Sequence, residues 1–485
     1  MALLDTVRTE RLAKIERLKE AGMEAYPART ARTHAIADFL AQHTELESSG
    51  TPVTLAGRVM SLREHGGSLF VDLFDGTKGQ CYLQSDTLGG AYDLFVATVD
   101  TGDIIEISGT AFATKRGQPS LLATGWRMLA KSLRPLPDEW FGIKDEDERY
   151  RKRYLDILLT KELAERLKRR STFWNVIRSY LLERGFVEVE TPVLETTTGG
   201  ADARPFVTHH NALDMDVYLR ISAGELWQKR LMVAGLPKTF EIGRIFRNEG
   251  MSPEHAQDYT QLELYWAYAD YEKGMTLVEE LYKHVALKTF GTLSFTIGKF
   301  EVDLGKPWER YEYAETIKKY TEIDINVAEV ADIEKKLTEL DVKFSAEGWN
   351  RSRAIDTLWK YCRRQIAGPG FLVGVPKELS PLAKSDPRHP EVTERFQPII
   401  AGSELGNGYS ELNDPVDQAE RFNHQQVLRD AGDEEAQMFD HEFVEALEYG
   451  MPPVVGFGVS ERLFSFLEGV SIREAQAFPL MRPRQ

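Results

Sequence analysis

The sequence predicts at least two folded domains, a small β-barrel followed by a large α+β domain. The chain has 485 residues, which is too long for one compact core and fits two or three domains. Short alternating strands recur at regular spacing from Val53 to about Arg134, whereas helices and strands alternate irregularly beyond that point. Leu133-Arg-Pro-Leu-Pro137 separates the two patterns, because two prolines so close together continue neither a strand nor a helix.

The barrel is predicted over residues 51–137. It follows a helical extension, residues 1–50, whose first helix is predicted to stop near Tyr26-Pro27. A helical stretch around residues 91–99 and five short strands are typical of an OB-type barrel. The predicted strands are residues 53–59, 68–73, 79–83, 103–109 and 120–123. Barrels of this type bind single-stranded nucleic acid by stacking bases on aromatic rings beside a charged groove.

The α+β domain is predicted over residues 138–485. It begins with a long helix, residues 161–184, which is closed by Gly185. The extended segment that follows contains Pro192, and proline is tolerated only at the edge or a bulge of a sheet. Residues 309–364 are predicted to be an inserted helical segment.

The net charge of −16 argues against a protein that coats nucleic acid by bulk electrostatics. Local basic surfaces can still bind RNA, and two stretches qualify, residues 149–154 and residues 168–170. The alternative is that each stretch is a solvated helix surface with acidic residues interleaved.

The chain is expected to be cytoplasmic, with no membrane partner. No stretch approaches the length of an apolar membrane span, and the charged amino terminus lacks the apolar core of a signal peptide. The two cysteines, Cys81 and Cys362, lie far apart and give neither a metal-ligand pair nor a disulfide framework.

Residues 240–266 are the most informative segment, because they alternate as two strands joined by a polar loop. One face of this hairpin is predicted to carry Glu241, Gly243, Ile245, Arg247, Gln261, Glu263 and Tyr265. An arginine opposite a carboxylate suits a site that holds a phosphate with Arg247 and a cation with Glu263. The alternative is an ordinary antiparallel hairpin with a solvated outer face.

The run Phe246-Arg-Asn-Glu-Gly250 resembles motif 2 of the class II aminoacyl-tRNA synthetases, and its flanks resemble the bacterial-type lysyl-tRNA synthetases. The similarity covers nearly the whole chain and weakens between about residues 304 and 368. It implies an OB-type barrel followed by an α+β catalytic domain with a mixed, mostly antiparallel sheet. It also implies ATP-dependent activation of L-lysine, transfer to tRNA(Lys), and a homodimer with Pro192 at the interface.

The resemblance assigns two catalytic arginines and a set of ATP contacts. Arg247 would hold the α-phosphate and the lysine carboxylate, and Arg462 would hold the γ-phosphate. The further ATP contacts would be Asn248, Glu249, His255, Tyr259, Glu404 and Glu461. The motif 3 candidate, residues 456–463, is one residue shorter than is usual in the family and has Val459-Ser460 where a glycine is expected.

The amino-acid pocket should be acidic, because lysine brings two ammonium groups that need partners when water is excluded. Asn407, Tyr409 and Glu411 are spaced by two, so a strand would place all three on one face. By resemblance the lysine-binding set is Glu225, Glu263, Tyr265, Asn407, Tyr409 and Glu411. Within this set, Glu411 and Tyr265 are expected at the ε-ammonium group.

The resemblance also implies magnesium and an anticodon site. Glu404 matches a family Mg²⁺ ligand, whereas Gln397 stands where a glutamate is usual, so weaker Mg²⁺ binding is expected because an amide brings no charge. On the barrel, Phe70 would stack on a base while Arg63 and Gln80 read base edges. The alternative for Phe70 is a core position in the barrel.

Other functions stay open at this point. An aspartyl- or asparaginyl-type class II synthetase shares the domain order but needs a basic or amide-reading pocket. A ligase that lysylates a translation factor would lack the barrel. A non-catalytic tRNA-binding paralogue is favoured by Gln397, by the short motif 3 and by Ala256-Gln257 where relatives have Asn-Pro. The retained Arg247 and Arg462 count against that paralogue.

Overall fold

The chain folds into two units, residues 1–159 and residues 160–485. The computed structural model describes residues 2–137, 143–201, 203–250, 252–344, 349–430 and 436–484. Among the helices of these ranges, each is too short or too polar to cross a membrane.

The amino-terminal unit contains a closed five-stranded barrel, which confirms the OB-type prediction. Its strands are Val53–His65, Ser68–Phe74, Lys78–Gln84, Ile104–Ala113 and Pro119–Ala130, and the fifth strand lies between the third and the fourth. Alternate side chains such as Leu69, Val71 and Leu73 fill the interior. The helix Gly90–Thr98 is held to the barrel by Trp126, whose Nε1 donates to the Ala91 carbonyl oxygen at 2.8 Å.

Further helices precede the barrel strands, follow them, or lie between the third and fourth strands. They are Ala2–Glu20, Ile36–Ala41, His43–Ser49, Ser85–Leu88, Glu146–Arg151 and Arg153–Leu159. The first helix ends at Glu20, earlier than the predicted stop near Tyr26, because Gly22 adopts a left-handed φ of 74°. Gly22 N then donates to Lys19 O and Met23 N donates to Leu18 O, so the last carbonyls are satisfied and the helix is closed.

The carboxy-terminal unit is built on a nine-stranded sheet. The order across the sheet is Glu309–Glu312, Gly370–Val373, Arg395–Ile400, Asn407–Ser410, Val454–Ser460, Asp258–Ala267, Lys238–Phe246 and Val187–Glu188, with Ser403–Glu404 paired to Arg395–Ile400. The two pairs at the ends of this order are parallel and the pairs between them are antiparallel. The sheet is therefore mixed and mostly antiparallel, as predicted.

One face of this sheet is covered by two long helices, Lys161–Glu183 and Tyr271–Phe290. Phe240, Leu262 and Leu264 point into that side and are buried in its core. The neighbouring residues of these strands therefore point to the opposite face, which carries polar side chains. The other helices of this unit are Glu225–Val233, Tyr313–Thr321, Val330–Glu339, Arg351–Arg363, Pro415–Asp430, His441–Glu448, Arg462–Leu467, Ile472–Ala475 and the 3₁₀ turn Lys377–Leu379.

Short strand pairs complete the carboxy-terminal unit. Leu194–Glu195, Met215–Leu219 and Phe206–His210 form a three-stranded sheet, Ser294–Ile297 pairs with Phe300–Asp303, and Val375–Pro376 pairs with Val392–Thr393. Pro192 lies between the strands Val187–Glu188 and Leu194–Glu195, so the expectation of a proline inside a strand is wrong.

The predicted insertion at 309–364 has a different beginning from the one expected. Glu309–Glu312 forms an edge strand of the main sheet, in parallel register with Gly370–Val373. The helical part extends over Tyr313–Thr321, Val330–Glu339 and Arg351–Arg363, and these helices bury their own apolar cluster.

Both basic stretches are neutralised by acidic side chains within their own unit. In residues 168–170, Arg169 pairs with Glu468 and Arg170 pairs with Glu461, while Lys168 pairs with Glu165. In residues 149–154, Arg149 and Arg153 both contact Asp156. This pairing favours the alternative of helix surfaces with acidic residues interleaved, and RNA binding at these stretches stays a prediction.

Candidate active site

The polar face of the main sheet lines a cavity of about 400 Å³. Of the residues predicted for the catalytic site, the cavity is lined by Glu225, Arg247, Glu249, His255, Tyr259, Glu263, Tyr265, Gln397, Glu404, Asn407, Tyr409, Glu411 and Arg462. Glu263 and Tyr265 are each only 3% exposed, so the alternative of a solvated hairpin face is wrong.

Two glycines of the central strand Val454–Ser460 give the cavity its floor. This strand lies between Asp258–Ala267 and Asn407–Ser410. A Cβ on Gly456 would lie 2.0 Å from Glu411 Oε1, so only glycine leaves room for this carboxylate. A Cβ on Gly458 would meet nothing closer than Glu263 Cγ at 3.4 Å, so the backbone there is open to a ligand.

The shortened motif 3 places a side chain on the same face. Ser460 follows Gly456 and Gly458 by the strand period of two and also lines the cavity. A serine therefore occupies the place where the family motif has its third glycine. Its Oγ accepts a hydrogen bond from the backbone N of Arg462 at 3.3 Å, which fixes the start of the next helix.

Arg247 has its guanidinium group available for an anion. Its Nε donates to the Ile221 carbonyl oxygen at 3.2 Å, and the group lies 5.9 Å from the centroid of the Tyr259 ring. With the described residues it forms no ion pair. The guanidinium group is thus anchored through Nε, and its two terminal nitrogens can make a bidentate contact with a phosphate or a carboxylate.

Arg462 lies on the cavity wall formed by motif 3 and is held by three partners. It donates to the Glu404 carbonyl oxygen at 3.2 Å and to Ser403 Oγ at 3.3 Å. It also pairs with Glu254, which belongs to the loop of the hairpin 238–267. Burial lowers the pKa of Arg462, which the Glu254 carboxylate opposes. A phosphate that binds Arg462 therefore competes with Glu254.

The acidic part of the cavity contains three buried carboxylates, Glu225, Glu263 and Glu411. Glu263 is fixed by donors, since it accepts from Ala223 N at 2.8 Å and from Tyr265 Oη at 3.0 Å. The hydroxyl of Tyr409 donates to Glu225 Oε1 at 2.5 Å. These contacts hold Glu263 and Glu225 in place without adding a positive charge.

Lys229 also lies among these carboxylates, and the sequence analysis missed it. Its Nζ lies 2.7 Å from Glu225 Oε1 and 2.5 Å from Glu411 Oε2, and its side chain is 1% exposed. The Glu225–Lys229 spacing of four on one helix is a signal that could have indicated the pair. The contact with Glu411, which lies far away in the sequence, could not be predicted.

Burial shifts the protonation of this group of residues. It raises the pKa of Glu263 to about 7, and the neighbouring charge of Glu225 adds to the effect. It raises the pKa of Glu411 to about 8, with Lys229 acting in the opposite direction. Buried carboxylates with raised pKa values in a cleft are typical of a functional site.

Arg395 is a second residue that the sequence analysis missed. It lies on the strand Arg395–Ile400, and its Nε donates to Asn407 Oδ1 at 2.8 Å while another nitrogen donates to the Leu379 carbonyl oxygen at 2.7 Å. Because the amide oxygen of Asn407 is engaged in this way, its NH₂ group is left to donate into the cavity.

The candidate Mg²⁺ ligands Glu404 and Gln397 line the same cavity. One oxygen of Glu404 accepts from Trp359 Nε1, so the other remains for a cation. In the described part of the chain, no group of three or more His, Cys, Asp or Glu side chains could hold a metal ion by itself. This donor set fits Mg²⁺, which commonly uses one or two protein oxygens together with substrate phosphates and water.

Two predicted ATP contacts do not lie on the cavity. Glu461 is fully buried, accepts from Gln476 Nε2 at 2.7 Å and pairs with Arg170, so its carboxylate holds the motif 3 turn to the long helix. Asn248 is exposed at the start of the hairpin loop, where its backbone N donates to the Arg204 carbonyl oxygen. Neither side chain lines the cavity, so their roles as ATP contacts stay predictions.

On the barrel, Phe70 belongs to a row of aromatic rings on the outer surface. It stacks on Tyr82 with centroids 4.6 Å apart, and Tyr82 lies 5.8 Å from Phe112. Its neighbours Leu69 and Val71 fill the core, so the alternative of a core position for Phe70 is wrong. Tyr82 and Phe112 were missed, although alternation along paired strands could have indicated them.

Arg63 and Gln80 lie on strands next to these rings. Arg63 donates to Asp72 Oδ1 at 2.9 Å, and Gln80 Oε1 accepts from Ser120 Oγ at 3.0 Å. Both side chains are therefore anchored while keeping further donors for a ligand.

Comparison with known proteins agrees with this fold and this site. Residues 145–482 match the family model described as tRNA synthetases class II (D, K and N), and residues 53–129 match the OB-fold nucleic acid binding domain. The chain is 44% identical to a lysine–tRNA ligase of Fervidobacterium nodosum, over 99% of this chain and 95% of that protein. It is 44% identical to that of Moorella thermoacetica, over 98% of this chain and 97% of that protein.

These matches define the class as the class II aminoacyl-tRNA synthetases. A lysine–tRNA ligase of Roseiflexus castenholzii is 42% identical over 99% of this chain and its whole length. The chain therefore belongs to the lysine–tRNA ligase family, which confirms the resemblance seen in the sequence.

The raised pKa of Glu411 predicts a dependence of stability on pH. The folded state holds a proton on Glu411 up to about pH 8, whereas the unfolded chain loses it near pH 4.5. Ionisation therefore lowers the free energy of unfolding as pH rises between these values. We expect Glu411→Gln to gain stability relative to the unmodified chain from pH 5 to pH 8.5, by about 1 kcal/mol or more. Urea unfolding measures this difference.

The exposed Glu445, on the helix His441–Glu448, provides the matched control. Glu445→Gln should leave the difference in unfolding free energy flat over the same range. An equally flat difference for Glu411→Gln would show that Glu411 is ionised without cost in the folded protein.

Proposed function

We propose that this chain activates L-lysine with ATP to form lysyl-adenylate and transfers the lysyl group to the 3′-terminal ribose of tRNA(Lys). One observation carries the proposal: three buried carboxylates converge in the same cavity as an arginine with a free guanidinium fork. An acidic pocket with one such cation suits a substrate with two ammonium groups and one carboxylate. An aspartyl or asparaginyl substrate would leave these carboxylates without partners.

In the first step the lysine carboxylate attacks the α-phosphorus of ATP and pyrophosphate leaves. Arg247 holds the two anionic groups together, and its charge stabilises the phosphorus centre as negative charge builds up. Arg462 binds the terminal phosphates after Glu254 has released it. No covalent enzyme intermediate is required, so positioning and electrostatics supply the rate enhancement.

The remaining residues of the cavity orient the substrates. Glu225, Glu263 and Glu411 pair with the two ammonium groups, with Glu411 and Tyr265 at the ε-ammonium. Tyr259 stacks on the adenine, Glu249 accepts from its amino group, and His255 lies near the terminal phosphates. Support for these roles comes from the position of each side chain on the cavity wall.

Magnesium would neutralise charge on the phosphates when it is bound. Glu404 would hold it through the oxygen that Trp359 leaves free, and Gln397 would contribute a neutral amide oxygen. In the second step a hydroxyl of the terminal ribose attacks the carbonyl carbon of the mixed anhydride, and AMP leaves. The anhydride is already activated, so alignment of the ribose matters more than a strong base.

The barrel would bind the anticodon, with Phe70 as a stacking ring and Arg63 and Gln80 at base edges. We further propose residues 1–50, 51–137 and 138–485 as the functional division of the chain, and a cytoplasmic homodimer with Pro192 at the interface. Val187, Val193 and Leu194, which flank Pro192, are each more than 40% exposed and supply apolar area for such a contact.

ATP–pyrophosphate exchange with each of the twenty amino acids tests the central proposal. We expect exchange with lysine alone, because only lysine satisfies every charge in the pocket. Arg247→Ala should lower the exchange rate by about 100-fold or more. Arg244→Ala is the matched control, since Arg244 lies on the strand that ends just before Arg247 and pairs with Asp258. Exchange with aspartate or asparagine would favour the aspartyl- or asparaginyl-type synthetase, and exchange with nothing would favour the non-catalytic tRNA-binding paralogue.

The anticodon assignment predicts a separate effect on tRNA. Phe70→Ala removes a stacking ring and should weaken binding of tRNA(Lys) by about 1–3 kcal/mol, seen as a higher KM for tRNA. Lysine-dependent pyrophosphate exchange should not change. Val96→Ala, on the exposed side of the helix Gly90–Thr98, is the control. An unchanged KM for tRNA in Phe70→Ala would remove the ring from the anticodon site.

The neutral amide of Gln397 predicts that the protein binds Mg²⁺ more weakly than it would with a glutamate at this position. Gln397→Glu adds a negative charge beside Glu404 and should lower the Mg²⁺ concentration for half-maximal exchange by about 5-fold. A magnesium titration of both proteins measures this change. Equal midpoints would mean that position 397 does not contact the metal.

A further inference from the structure

Lys229 is a fully buried ammonium inside the pocket that the proposed function gives to the lysine substrate. It extends from the helix Glu225–Val233 and lies between two carboxylates from separate elements, Glu225 on its own helix and Glu411 after the strand Asn407–Ser410. Its Nζ also lies 5.5 Å from the centroid of the Tyr409 ring and 5.9 Å from that of Phe443. The helix, the sheet and the helix His441–Glu448 therefore all enclose this side chain.

We infer that Lys229 is a specificity-determining positioning residue, which sets the charge and the spacing of the amino-acid pocket so that it accepts one substrate with two ammonium groups. This inference rests on the proposed function and deepens it. Lys229 acts through Glu225 and Glu411.

The charge of the pocket is the first reason. In their ionised forms, which the bound substrate requires, Glu225, Glu263 and Glu411 bring three negative charges, and Lys229 offsets one, which leaves two for the two ammonium groups of lysine. The lysine carboxylate is matched separately by Arg247. Without Lys229 the pocket would hold one more negative charge than the substrate can pair, and a buried carboxylate would take up a proton instead.

The spacing of the pocket is the second reason. Because Lys229 contacts Glu225 and Glu411 at 2.7 Å and 2.5 Å, it holds these carboxylates at a fixed separation. Two like charges without this bridge repel each other and move apart. The substrate's ammonium groups require a fixed separation, so the bridge prepares the pocket before lysine arrives.

The test compares Lys229→Met with the unmodified enzyme in lysine-dependent pyrophosphate exchange between pH 6 and pH 9. The groups that face Lys229 and its partners are Glu225, Glu263, Glu411, Tyr265 and Tyr409. We expect the KM for lysine to rise about 10-fold or more, with the KM for ATP unchanged. In the unmodified enzyme the KM for lysine should fall as pH rises and Glu411 loses its proton. Lys229→Met should move this fall to higher pH, because the cation that favours ionised Glu411 is gone.

Two further variants distinguish a role of Lys229 in substrate binding from a general loss of folding stability. Lys131 is another fully buried lysine between two carboxylates, Asp100 and Asp103, but it belongs to the amino-terminal unit. Lys131→Met should cost stability while keeping the native KM for lysine and its pH profile. Lys229→Arg keeps the positive charge, so it should restore the native pH profile and most of the affinity for lysine; it also carries the test if Lys229→Met does not fold.

The outcomes are distinct. If the unmodified enzyme exchanges with lysine while Lys229→Met keeps the native KM and pH profile, the inference is overturned and the proposed function stands. The inference is also overturned if a folded Lys229→Arg shows the same loss as Lys229→Met with no return of the pH profile. If the unmodified enzyme does not exchange with lysine at all, the proposed function fails and this role fails with it.

Discussion

The burial of three carboxylates in one cavity is the constraint on which the catalytic unit depends. Burial disfavours the ionised forms of two of them and raises the pKa of Glu263 to about 7 and that of Glu411 to about 8. Groups of the protein partly offset this cost. Ala223 N and the Tyr265 hydroxyl donate to Glu263, and Lys229 pairs with Glu411. A substrate with two ammonium groups supplies the missing positive charges. Pairing with these buried carboxylates therefore contributes to the free energy of substrate binding.

The two-sided sheet makes this arrangement possible. Its apolar face packs on two long helices and supplies the rigidity, while its polar face receives side chains from neighbouring strands at a spacing of two. Gly456 is needed because any Cβ there would collide with Glu411. Arg247 directly follows the strand Lys238–Phe246, and Arg462 begins the helix after the strand Val454–Ser460, so both arginines are positioned by the ends of neighbouring elements of the same sheet.

Much of the fold and of the site could be predicted because strand alternation is a local property of the sequence. The alternation placed Tyr265 beside Glu263 and Tyr409 beside Glu411 on one face, and the structure confirms it. Contacts between distant segments could not be predicted in this way. Arg170 pairs with Glu461 across 291 residues, so a residue predicted for RNA and a residue predicted for ATP form a contact that no local pattern could indicate. Arg395 was missed for the same reason, and so was the contact of Lys229 with Glu411, since these partners lie on other elements.

Isothermal titration of the free enzyme with lysine, in buffers of different ionisation enthalpy, tests the central claim most directly. If burial keeps the pocket carboxylates partly protonated at pH 7, lysine must displace that proton, and about one proton should be released on binding. The release should disappear at pH 9, where Glu263 and Glu411 are already ionised. A binding heat that does not depend on the buffer at pH 7, or an uptake of protons, would show that the carboxylates are ionised before lysine arrives and would contradict this view of the pocket.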